Sequence, residues 1–199
     1  MNPATLCELL LVMSCGLSGR HAKKLPGLAG LLAPASFFVV GLAALAGALR
    51  YSGLTVITPL HLALGPIGGV ALAALGGCFV ALGTPWTLWG YRAYGLLAVV
   101  GGLFLALRPD APWRLPLNLC GLTLTICGAV ATWPRDRHGA MAAFLGAGLL
   151  VTAGLGIGTE GSLGGFARLD LFHVTMALCM LVHAHALSRI AKAKRATAP

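Results

Sequence analysis

The sequence predicts an all-α fold, a polytopic integral membrane bundle of about seven transmembrane helices, and three observations predict it. Of 199 residues, 58% are hydrophobic and only 10% are charged, with a mean hydropathy of +0.88, whereas a soluble domain carries about 25% charged residues. Apolar runs recur at about the 20 residues needed to cross a bilayer. Lys and Arg fall between those runs or near the C-terminus, where they set orientation. A water-soluble fold is excluded. Gly, at 28 residues, and Ala are abundant while aromatics make up only 7%, which suits membrane helices that pack through close backbone approach.

The apolar segments fall at 4–20, 27–49, 58–83, 86–107, 115–133, 139–158 and 166–188. The first is short and carries Glu8. Its Val12-Met13-Ser14-Cys15 resembles a lipoprotein cleavage box, but the positive charges Arg20, Lys23 and Lys24 follow the apolar run instead of preceding it, as they would in a signal peptide. That order predicts a retained helix inserted N-terminus outward. Pro26 opens the second segment, Thr58-Pro59 the third as N-cap and first helical residue, Pro85 the fourth and Pro116 the fifth, because the first turn has no use for the missing N–H. Pro34 and Pro66 fall inside the second and third segments and predict kinks there. The last segment is followed by a basic stretch. The expected division is therefore one bundle over 1–188 and a basic cytoplasmic tail over 189–199.

Alternate loops divide the cations unevenly. Arg20, Lys23, Lys24, Arg92, Arg135, Arg137, Arg189, Lys192, Lys194 and Arg195 collect on one side; Arg50, Arg108, Arg114 and Arg168 collect on the other. The richer side is expected in the cytoplasm, with the N-terminus outside and the C-terminus inside, in a bacterial inner membrane. The net charge of +9 is read as topology, so no nucleic-acid partner is expected; membrane lipids, other membrane subunits or a second copy are. Cys7, Cys15, Cys78, Cys120, Cys127 and Cys179 all fall in apolar segments without a C-x-x-C pair, and read as small buried hydrophobes.

An ionisable side chain inside a span costs a few kcal/mol by insertion scales and marks a candidate site. Glu8, His61, Asp170 and His173 are such residues. Each lies in the first turns of a segment expected to begin at the outer face, so all four stand within roughly 12 Å of one membrane boundary at about 1.5 Å per residue. Two carboxylates and two imidazoles at one depth have the chemistry to hold zinc or another transition metal through His61, Asp170 and His173, with Glu8 as general base or further ligand. They also suit a proton relay. The structural alternative is that Glu8 and Asp170 bond His61, His173 or Arg168 as polar glue between helices. A bis-histidine haem on His61 and His173 is a further arrangement, poorly served by the room and aromatic lining of an Ala/Gly-rich chain. His183 and His185, two apart, point about 200° away from each other and cannot both face one site. No P-loop, G-x-S-x-G, H-E-x-x-H or dinucleotide fingerprint is present, and no inverted repeat marks a transporter.

The stretch Leu169-Asp170-Leu171-Phe172-His173-Val174, followed by Leu181-Val182-His183-Ala184-His185, resembles the last helix of the progestin/adiponectin receptor and haemolysin III family. With the alkaline ceramidases, that family makes up a superfamily of seven-helix membrane proteins, many of them zinc-dependent lipid hydrolases. The family pattern there is H-x-x-x-H, with a third histidine from an S-x-x-x-H motif in an early helix. His173 matches the second histidine of the pair. The first falls on Leu169, with Asp170 beside it as the candidate substitute. His61 would be the early-helix histidine, although Ile57 stands where the serine belongs. The resemblance implies a metal-dependent hydrolytic site acting on a lipid-like substrate. The chain is also similar to small bacterial membrane proteins with an acidic residue in the first helix and an N-D-L-F-H-like last helix. The competing expectation is a non-enzymatic accessory subunit.

Overall fold

The computed structural model describes residues 2–83 and 114–197. The described residues are about 85% helical. Helix α1 is Pro3–Ala22, α2 Ala29–Tyr51, α3 Thr58–Gly83, α4 Arg114–Thr132, α5 Arg137–Val151 and α6 Arg168–Ala196. A 3-10 turn, Thr55–Ile57, leads into α3. A π-helical turn, Thr152–Ile157, extends α5. The segment expected at 86–107 lies outside the described residues.

Local chemistry sets the helix ends. Asn2 caps α1, its side-chain oxygen accepting the Ala4 N–H at 3.0 Å, with proline in the first helical turn. Asp136 caps α5 by accepting from the Gly139 N–H at 3.0 Å. It also faces Arg189 of α6, whose Nη2 lies 3.1 Å from Asp136 Oδ1. Burial pushes the Asp136 carboxyl up, but the hydrogen bonds from Arg189 and Gly139 outweigh it and hold the group below its usual range. Pro34 and Pro66 both lie inside helices that run on through them.

Helix α6 runs through the basic stretch expected as a tail. Its last turns are packed: Ile190 and Ala191 are buried, and Ile190 Cγ1 would stand 3.0 Å from a Cβ placed on Gly139. Between α5 and α6 the chain makes a two-stranded antiparallel hairpin, β1 Ser162–Leu163 and β2 Phe166–Ala167. Its two-residue turn needs φ above zero at both positions, and Gly164 (59°) and Gly165 (85°) supply it.

Contacts between helices fix their directions. Glu8 lies at Gly47 and Cys15 at Gly41, so α1 and α2 are antiparallel. His61 Nδ1 stands 3.3 Å from Ala43 O, and α2 and α3 are antiparallel as well. Helices α3 and α4 instead run parallel: Gly69 faces Asn118, Gly76 faces Gly121, and Gly83 faces Gly128 and Thr132. Helix α6 returns antiparallel to α5, with Gly146 against His183, and parallel to α1, where Ser18 Oγ donates to Met180 O at 3.1 Å.

Among the described residues, these directions bring Arg20, Lys23, Lys24, Arg135, Arg137, Arg189, Lys192, Lys194 and Arg195 to one end of the bundle. Arg50, Arg114 and Arg168 lie at the other, where α1 begins. At the basic end Arg135 Nη2 donates to Gly83 O at 2.6 Å and Lys194 Nζ to Ala81 O at 3.0 Å. Both cations thereby meet the negative end of the α3 dipole.

The bundle is apolar outside, and its mostly apolar interior also encloses polar side chains. On α1, Leu6, Leu10, Met13 and Leu17 are exposed, Met13 by 65%, while Thr5, Glu8, Ser14 and Ser18 are buried. Phe38 on α2 is 70% exposed. Such a surface is costly in water and suited to lipid. Four helical stretches are long and apolar enough to cross a membrane among the described residues: Ala29–Tyr51, Thr55–Gly83, Arg137–Ile157 and Arg168–Ala196. Leu117–Thr132 is a shorter apolar helix. Helix α1 has 20 residues, but Glu8, Arg20 and its serines make it less apolar than those four. The protein is thus an all-α membrane protein.

Candidate functional site

Three of the four expected residues converge where α1, α2, α3 and α6 meet. Glu8 sits on the buried face of α1 with Ala4, Leu11, Cys15 and Ser18, at helical spacing. It is 1% exposed. Its Oε1 lies 3.3 Å from His173 Nε2. Across from it, α2 has a glycine where a side chain would block the site: a Cβ on Gly47 would collide with the Glu8 carboxylate and stand 3.1 Å from His61 Cε1. Gly47 is what lets a carboxylate from α1 and an imidazole from α3 approach the same point.

A cavity of about 390 Å³ opens there, with Glu8, Tyr51, His61, Asn118, Thr159 and His173 among its walls. His61 is half-buried and meets the Tyr51 ring edge-on, centroids 6.1 Å apart. The His173 ring stands edge-on to Phe172 at 5.3 Å. Asp170 is placed differently. Leu169, Phe172, His173 and Met176 line the cavity, and Asp170 is not among its walls. Leu169, where the resemblance calls for a histidine, is a wall residue, whereas the neighbouring acid is not.

The polar balance of this region is one-sided. Both oxygens of Glu8, Oδ1 of Asn118 and Oδ1 of Asp170 are buried acceptors without a hydrogen-bond partner; Thr5 Oγ1 and His173 Nδ1, each able to donate or accept, are unpartnered too. The Glu8–His173 approach has the distance of an ion pair without the geometry of a hydrogen bond. Buried polar groups ordinarily find partners. A cluster dominated by acceptors calls for donors: a proton, water or a cation.

Carboxylate and imidazole together are a donor set that suits a borderline divalent metal. Glu8 and His173 are the pair in contact. Among the described residues no group of three or more His, Cys, Asp and Glu stands close enough to hold a metal ion. Asn118 and Thr159 join the site unannounced by any motif, although a lone asparagine in an apolar segment was the available signal.

The remaining histidines lie elsewhere. His183 is buried, its Nδ1 2.9 Å from Cys179 O and its ring 5.3 Å from Phe79, a packing role between α3, α5 and α6. His185, two residues on, is exposed. All six cysteines are unpaired.

Fold and cavity together define a class: an all-α membrane bundle with a half-open cavity, lined in part by buried unpartnered acceptors, at the end where its N-terminus lies. No protein-family model matches the chain, and neither a curated protein nor a solved structure gives a significant match.

Proposed function

We propose that the chain is a seven-span membrane protein with its N-terminus outside and C-terminus in the cytoplasm, whose outer cavity binds a divalent transition-metal cation and serves hydrolysis of a lipid-like substrate. The observation that carries this reading is the group of buried polar atoms around Glu8 and His173 that make no hydrogen bond within the protein. Glu8 and His173 would hold the cation, with His61 facing them. Zinc suits this donor set, and a metal bound there supplies Lewis acidity and lowers the pKa of a coordinated water. Glu8 provides the carboxylate to accept a proton. Depth favours a substrate that arrives through the bilayer.

The span count is supported by the apolar run at 86–107 in the sequence, which stands between the parallel helices α3 and α4. The orientation is supported by the collection of cations at one end. A reporter fused after Pro199 is expected to be active only in the cytoplasm; activity on the far side would refute the topology.

Metal analysis of the purified chain tests the site. About one zinc or other transition-metal ion per chain is expected, falling below about a tenth of that in His173→Ala, with the melting temperature retained. An accessory-subunit reading, in which these groups are polar glue, is favoured by the direct Glu8–His173 approach. That reading predicts no stoichiometric metal and a lower melting temperature for the same variant.

A further inference from the structure

A second concavity lies between α1 and α2, running from the buried Cys15 and Phe37 to the exposed Gly16, Phe38 and Leu42. It is a groove of about 600 Å³ whose apolar walls include Gly16, Phe38, Gly41 and Leu42, and whose end at the basic side of the bundle carries Arg20 and Lys23. Both cations are exposed. Neither makes a side-chain hydrogen bond or ion pair among the described residues, unlike Arg135, Arg189 and Lys194, which are engaged with Gly83, Asp136 and Ala81. No acid lines the groove.

The dimensions match one leaflet. From Val12 to Lys23 the groove follows α1 for about 16 Å at 1.5 Å per residue, half of a hydrocarbon core about 30 Å thick. An occupant with an apolar chain along the trough and an anionic group at its basic end meets both features. A neighbouring apolar helix would leave the two charges unmatched.

From this charge complementarity we infer that the α1–α2 groove is a binding site for an anionic phospholipid, its phosphate held by Arg20 and Lys23 and one acyl chain lying over Gly16 between Phe38 and Leu42. The site does not depend on the cation reading of the outer cavity, since none of the six polar wall residues named there lines it.

Native mass spectrometry of the detergent-solubilised full chain, titrated with phosphatidylglycerol or phosphatidylcholine, tests the inference. Phosphatidylglycerol is expected to bind about tenfold more tightly than phosphatidylcholine, a preference lost in the double variant Arg20→Gln with Lys23→Gln. Gly16→Leu should weaken binding of both lipids while leaving the melting temperature unchanged, because a Cβ at Gly16 meets nothing within 4 Å. Equal binding of the two lipids, or an unaltered preference in the double variant, overturns the inference. Displacement of phosphatidylglycerol by millimolar inorganic phosphate alone assigns the cations to a free anion and overturns it too. A change of oligomeric state in Gly16→Leu, with lipid binding intact, gives the groove to a second copy of the chain.

Discussion

Leucine in place of Gly76 or Gly128 is expected to separate α3 from α4 and to destabilise the bundle by at least about 3 kcal/mol, the upper range for overpacking. The cost is high because backbone stands opposite. A Cβ on Gly76 would overlap the carbonyl of Gly121, and one on Gly128 would overlap the main chain of Phe79. Neither neighbour can swing away as a side-chain tip can, and Phe79 is fully buried. Thermal unfolding in detergent, with Gly148→Leu as a control at a position where a Cβ meets nothing within 4 Å, measures the difference. Unchanged melting in Gly76→Leu and Gly128→Leu would refute this interface.

Glu8→Leu is expected to move stability and cation binding in opposite directions. Neither carboxylate oxygen has a hydrogen-bond partner, and the side chain is nearly inaccessible. Leaving such a group buried costs about 1–3 kcal/mol, so an apolar side chain of similar size should raise stability by about that amount. The same change should weaken metal binding at least about 100-fold, beyond the 10–100-fold typical for loss of a supporting partner. If Glu8 were polar glue, the substitution would lower the melting temperature, and no cation affinity would be there to lose. Unfolding measured beside zinc titration in one preparation distinguishes these outcomes. Stabilisation with unaltered zinc affinity would remove Glu8 from the site.

Much of this arrangement was legible from residue order, and the limits have physical causes. Four span positions followed from apolar length, and α5 with its π-helical turn ends at Ile157, one residue short of the expected boundary. The juxtaposition of Glu8 and His173 followed from their common depth, because depth depends only on rise per residue. Rotation about each helix axis was not legible. A lipid-facing side and a packed interior are both apolar, so hydrophobic periodicity hardly distinguishes them. Contacts such as Gly47 against Glu8 decide it instead. Hence residue order does not show that Leu169 takes the wall position beside His173. The length of α6 was hidden for a related reason: Arg189, Lys192 and Lys194 read as a solvated tail, while Ile190 and Ala191 among them supply the packing. The pairing of α3 with α4 depends on contacts remote in sequence, which no local pattern encodes.

That parallel pairing bears on biosynthesis. The glycines along α3 are shaped to receive the backbone of α4, yet α4 begins only at Arg114, well after α3 ends at Gly83. With ribosomes adding about 5–20 residues per second, α3 must wait in the bilayer for seconds with its most closely fitting face unpartnered. During that interval lipid or an insertion chaperone has to cover it, and the order in which segments leave the translocon becomes part of how this protein reaches its native packing.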